Sequence, residues 1–325
     1  MSEHDPDPAL HGVVRGPRAD VPVARANSTR LVTRLDLVRR GGAAGPLELS
    51  GWARYFEIDA AAAESVRAGA TLEATVDYHD GRTITRLETS PHLSGLDTLV
   101  GSSAIAGFRG RVGSVVAGGA SEKNAPLALL LDDVPVGTLI SGHAVSAERE
   151  LDPRAGAGGT GYVPVGDQCA GYASGGALIA TIAVRGRGPV ADGPVAPPLD
   201  DAFRRTPPKL GIHAMRRRRR IDRWTENGEI RIDAMFRDTY MRVDGVETVI
   251  HEYELAVTAD AATGVIRDAV ATPRVLPWSD CPGAVGSAGR LVGVALSDVE
   301  AEVRREFRGV DTCTHLNDLL RSLAH

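Results

Sequence analysis

The chain has 325 residues, 43% of them hydrophobic, which is enough for two ordinary cores. A formal net charge of −5 and an aromatic content of 4% argue against a nucleic-acid partner, which calls for cationic groups on phosphates and aromatic platforms under unpaired bases. Three cysteines at long spacings, Cys169, Cys281 and Cys313, suggest thiols or metal ligands in a reducing cytoplasm and not a disulfide framework.

Residues 1–27 are rich in Pro, Asp, His and Arg and carry no apolar signal region, so they are expected to be a disordered polar tail. No run approaches the roughly 20 apolar residues of a membrane span, and no membrane partner is expected. Over residues 28–145, period-two alternation predicts strands at Thr33 to Leu37, Leu47 to Phe56, Leu72 to Val76 and Ile84 to Pro91, followed by helices. Residues 146–210 are dense in Gly and Pro and read as a connection. Its glycine-rich stretches 155–161 and 170–176 lack the Lys-Ser/Thr ending of a phosphate loop, so no nucleotide site is expected.

Residues 211–325 tell the same story again, with strands at Arg219 to Arg223, Glu229 to Arg237, Tyr253 to Val257 and Ile266 to Pro273. Apolar stripes then predict helices over Val299 to Phe307 and Leu316 to Leu323. The expected fold class is α+β: two degenerate repeats, each an antiparallel β-meander followed by helices, forming an internal pseudo-dimer. The five arginines Arg216 to Arg220 suggest a charged, solvated edge strand.

Chemistry-capable side chains concentrate in the second repeat. Cys281 follows Pro277-Trp278-Ser279-Asp280, and Cys313 and His315 lie in Asp311-Thr312-Cys313-Thr314-His315, so both cysteines are placed at helix N-termini, where the helix dipole favours a thiolate. The first repeat has Leu99, Leu131 and Asp133 where the second has Cys281, Cys313 and His315. The first expectation is an intracellular, cofactor-independent enzyme of small-molecule catabolism, of hydrolase, isomerase or lyase type. Cys313 would be its thiolate or proton carrier, His315 the base, and His251 and Asp238 supporting acid–base groups. The alternative is a metal or iron–sulfur module holding zinc or iron on Cys281, Cys313, His315 and Cys169. A third reading is a non-catalytic pseudo-dimer binding a small molecule or a protein, and the plainest is that the cysteines are small buried hydrophobes. His251-Glu252 opens like a metalloprotease helix, but Leu255 stands where the second histidine belongs.

At Arg216 to Asp222, Phe236-Arg237-Asp238, His251-Glu252-Tyr253, Leu276 to Pro282 and Thr312-Cys313-Thr314-His315-Leu316, the C-terminal half resembles a bacterial family known only as a domain of unknown function. The resemblance implies that these positions belong together and brings no activity with it. The order of strands, a Cys helix and a Cys/His helix also looks like that of iron–sulfur scaffold proteins.

Overall fold

A computed structural model describes residues 12–13, 15–116, 124–152, 165–185, 188–199 and 207–325. The fold is mixed α and β, organised on one antiparallel sheet. Its strands are β1 (Gly12–Val13), β2 (Ser28–Val38), β3 (Leu47–Ile58), β4 (Glu64–Asp77), β5 (Thr83–Ser90), β6 (Met215–Glu226), β7 (Glu229–Met241), β8 (Glu247–Asp260) and β9 (Ile266–Leu276). Their order across the sheet is β1-β9-β8-β7-β6-β2-β3-β4-β5. Two four-strand meanders therefore meet through their first strands, β2 and β6, which pair antiparallel over ten residue pairs centred near Thr33 and Arg219. The β6–β7 hairpin turns on Asn227 (φ 52°) and Gly228 (φ 76°), the left-handed pair that a two-residue hairpin with matching twist requires.

Helices cover one face. After the first meander come α1 (Phe108–Val116), α2 (Ala125–Ile140) and α3 (Gly142–Leu151); α4 (Ala177–Arg185) follows. After the second come a run of 3-10 turns over Cys281–Leu291, then α5 (Val299–Glu306) and α6 (Thr314–Arg321). Contrary to the reading of apolar runs, Ala125–Leu151 is long and apolar enough to cross a membrane by length and composition. Here it is α2 and α3, and α2 packs against β2, β3 and β4 with apolar side chains buried on every side, as a core helix requires.

Two expectations are corrected. Residues 12–27 are not a free tail: β1 pairs with β9, the Arg18 amide donates to Glu252 Oε1 at 2.7 Å, and Val21 and Ala24 pack beside Trp52 and Phe56. The remainder of that expected tail, residues 1–11 and 14, lies outside the described residues, as does the glycine-rich stretch 155–161. Nor is the arginine run an edge. It forms the interior of β6, the strand flanked by β2 and β7, and none of the five is more than 9% exposed.

The alternation of β6 sends Arg216, Arg218 and Arg220 to one face and Arg217 and Arg219 to the other. On the face away from the helices, Arg216 makes a two-pronged ion pair with Asp36 (2.6 and 3.0 Å), and Arg30 makes another with Asp222 (2.5 and 2.7 Å). Proline-rich chain lies over this face. Because proline offers only a carbonyl, it suits a surface of arginine donors: Arg30, Arg216 and Arg237 donate to the carbonyls of Pro22, Pro208 and Pro197 at 2.7–2.8 Å. A solvated edge would have left these donors to water. Here protein groups satisfy them, and burial is tolerated.

Candidate metal centre

On the helix-covered face, the register of β7 and β8 sets Asp238 opposite His251, and opposed residues of an antiparallel pair share a face. A β-bulge directly after this pair, where Thr239 faces Val249, leaves Ile250 unpaired. His251 itself is in the unbroken ladder and faces the helices by the same alternation that sends Tyr253 and Leu255 into the core there, while the bulge breaks the ladder just beyond it. Helix α6 then supplies the third group. Cys313 is its N-cap, with no side-chain cap bond, and His315 sits in its first turn against β7 and β8. Neither Asp311 nor Thr312 caps the helix; the Thr312 hydroxyl donates to the Gly309 carbonyl.

The His315 ring stacks on His251 with centroids 3.8 Å apart and an interplanar angle of 21°, and lies 6.3 Å from the Phe236 ring. His251 Nδ1 stands 3.4 Å from Asp238 Oδ2. One ligand atom from each of Asp238, His251 and His315 lies within 4.8 Å of the other two. Three polar atoms of this cluster, Asp238 Oδ1, His251 Nδ1 and His315 Nε2, are buried without a hydrogen-bond partner. Orphaned lone pairs are rare in folded proteins and costly, at about 1–3 kcal/mol each, so three together call for a common explanation.

Burial, with His251 and Arg217 nearby, holds the His315 imidazole well below the ordinary histidine range, so the ring is neutral at pH 7. The thiols move the other way. Burial pushes Cys313 up to about 12, Cys281 well up, and Cys169 up. Cys313 Sγ lies 3.9 Å from His315 Nδ1, within reach of a weak N–H···S contact. A raised thiol beside a lowered imidazole is the reverse of what a thiolate–imidazolium nucleophile needs. Cys313 as thiolate with His315 as its base is thus not what this geometry favours.

The four ligands expected for a metal module do not come together as a set. Cys169 and Cys313 sit on neighbouring loops, joined by the Ala170 amide donating to the Thr312 carbonyl at 2.9 Å, and a Cβ at Gly171 would stand 2.6 Å from Cys281 Sγ. Even so, among the described residues the group within reach of one ion is Asp238, His251 and His315, with no cysteine in it. Those three were expected as acid–base groups.

Arg217, Asp133 and Asp318 complete the surroundings; of these, sequence reasoning weighed only Asp133, as the counterpart of His315 in the first repeat, and gave Arg217 and Asp318 no place at the site. Arg217 is wholly buried and faces three carboxylates: Nε to Asp133 at 3.0 Å, Nη1 to Asp238 at 3.2 Å and Nη2 to Asp318 at 3.4 Å. Asp318 lies three residues after His315 on the same face of α6 and also pairs with Arg321 and Arg109. A polar pair inside the apolar stripe of Leu316, Leu319 and Leu320 was the available signal for Asp318. By contrast, the cleft of about 260 Å³ on the opposite face is floored by Arg216 and Arg237, whose guanidinium groups already hold Asp36, Glu252 and proline carbonyls.

Residues 215–325 match a family described as protein of unknown function (DUF2889). The matched segment begins at β6 and contains Asp238, His251 and His315, as well as Arg217 and Asp318; Asp133 and Cys169 fall outside it. No curated protein and no solved structure matches the chain.

Proposed function

We propose that the C-terminal half carries a divalent-metal centre with Asp238, His251 and His315 as its protein ligands. The observation that supports this reading is the convergence of one carboxylate and two imidazoles from three separate elements, each with a buried atom that has no hydrogen-bond partner. Two imidazoles and one carboxylate suit zinc or iron(II), and three protein ligands leave positions for water or a substrate, the pattern of catalytic and not structural sites. A bound metal would supply Lewis acidity there. The protein's own contribution is to keep His315 neutral and therefore able to coordinate, and to hold its ring by the Cys313 contact at Nδ1. His315 as a residue is half-buried, beside exposed Thr314.

On this reading the chain acts on a small molecule by metal-assisted chemistry of hydrolase, isomerase or lyase type. We further propose that the two meanders descend from one duplicated unit. Support comes from the β2–β6 register, where the Arg30–Asp222 and Asp36–Arg216 pairs lie three residues to either side of the facing Thr33 and Arg219, as a two-fold axis there requires.

Cobalt(II) titration followed by visible absorption tests the centre. The expected result is one equivalent bound with intense d–d bands, lost in His251→Ala and His315→Ala and kept in Cys281→Ser. No binding, or binding that depends on the cysteines and not the histidines, would overturn it.

A further inference from the structure

Arg217 is the link between the proposed centre and the other half of the chain. Its guanidinium is a rigid planar fork, and each of its three nitrogens faces a different carboxylate. One of these, Asp238, is a proposed ligand. Another, Asp318, shares helix α6 with His315. The third, Asp133, comes from α2, a helix that packs on the first meander. Asp133 is wholly buried and is gripped a second time by Arg219, the neighbour of Arg217 on the same face of β6.

We infer that Asp133 is a positioning residue for the metal ligand Asp238, acting through Arg217, so that the working site is assembled by both halves of the chain. This inference rests on the metal reading above. With Asp133 in place, Arg217 divides its charge among three carboxylates, and Asp238 keeps enough negative charge, in a fixed direction, to coordinate an ion. Without the Asp133 charge, the buried guanidinium draws on Asp238 and Asp318 alone. Asp238 becomes the poorer ligand and is pulled toward β6. The chain of contacts also gives a use to the difference between the halves: Asp133 occupies on α2 the place that His315 occupies on α6 in the repeat alignment.

The test uses the full chain in three variants. Asp133→Asn keeps the shape and removes the charge; Asp133→Glu restores the charge on a longer arm; Leu131→Ala opens a cavity at an equally buried position of the same helix. Outer partners of metal ligands typically change affinity by about 10–100-fold, so cobalt(II) binding should weaken by that order in Asp133→Asn with a shifted absorption spectrum. Partial recovery is expected in Asp133→Glu. Leu131→Ala should unfold more easily yet bind cobalt with the parent's affinity and spectrum. Parent-like binding and spectrum in Asp133→Asn, or equal weakening in Leu131→Ala, would overturn the inference while leaving the metal centre standing. If Asp133→Asn does not fold, Arg217→Lys takes its place, since it keeps the charge and loses the fork that joins Asp133 to Asp238, and parent-like binding and spectrum in it have the same force. Failure of the parent itself to bind would remove the metal reading and this inference with it.

Discussion

At Cys313 two effects oppose each other, and their sizes decide which prevails. A helix N-terminus favours a negative charge by about 0.3–1 kcal/mol, less than one pKa unit. Burial raises the thiol from its ordinary 9.0 to about 12, on the order of 4 kcal/mol, so the thiol stays protonated. Iodoacetamide at mildly alkaline pH should therefore leave Cys281 and Cys313 unlabelled until the protein is denatured; rapid labelling of Cys313 in the native state would contradict this. His315 gives a second prediction. Its folded pKa is depressed, so as pH falls below about 6.5 the unfolded chain binds the proton first and stability declines, by at most about 1.4 kcal/mol per pH unit. The difference in urea stability between the parent and His315→Gln should accordingly shrink as pH falls from about 7 to about 5. A difference that does not change with pH would count against a buried neutral imidazole. Sequence reading located Cys313 and His315 at a helix start, but it used the dipole and had no measure of burial, which reversed the sign.

The elements were legible where pattern is local. All the strands of both meanders and the helices Val299–Glu306 and Thr314–Arg321 fall where alternation and apolar stripes place them, but strands run well past the expected ends, most of all Glu64–Asp77, which starts eight residues before the expected Leu72, and Glu247–Asp260, which starts six before Tyr253. What pattern could not supply is the β2–β6 pairing, a contact nearly two hundred residues apart in sequence. Without it, β6 reads as an edge and its arginines as solvated; with it, they are the interior polar layer that reaches Asp133 and Asp238. The register that sets His251 opposite Asp238 was equally invisible, since which residues of two strands face each other leaves no mark on composition. Arg217 is the test of this layer. Removing one partner from a buried ion cluster costs about 3–5 kcal/mol, because the remaining charges stay buried and unpaired. Arg217→Met should lower stability toward guanidinium by that order, and a change well under 1 kcal/mol would mean that the three aspartates find other partners.

Across the whole molecule the sheet is continuous, and the two halves share ten residue pairs and two buried two-pronged ion pairs between β2 and β6. They are expected to unfold as one cooperative unit. Tryptophan fluorescence and far-ultraviolet circular dichroism should give one coincident transition, since Trp52 reports on the first meander and Trp224 and Trp278 on the second; two separated transitions would contradict a shared core. The same continuity explains why the site was only half legible. Its ligands lie in the C-terminal half, within the stretches that resemble a family, whereas the buried partner Asp133 comes from the other half and lies far from them in sequence. Anomalous diffraction at the cobalt edge, on crystals grown with cobalt(II), tests the central claim most directly. A single strong peak is predicted about 2.0–2.2 Å from a carboxylate oxygen of Asp238 and one ring nitrogen each of His251 and His315. A peak seated instead among Cys169, Cys281 and Cys313, or no peak near these histidines, would contradict it.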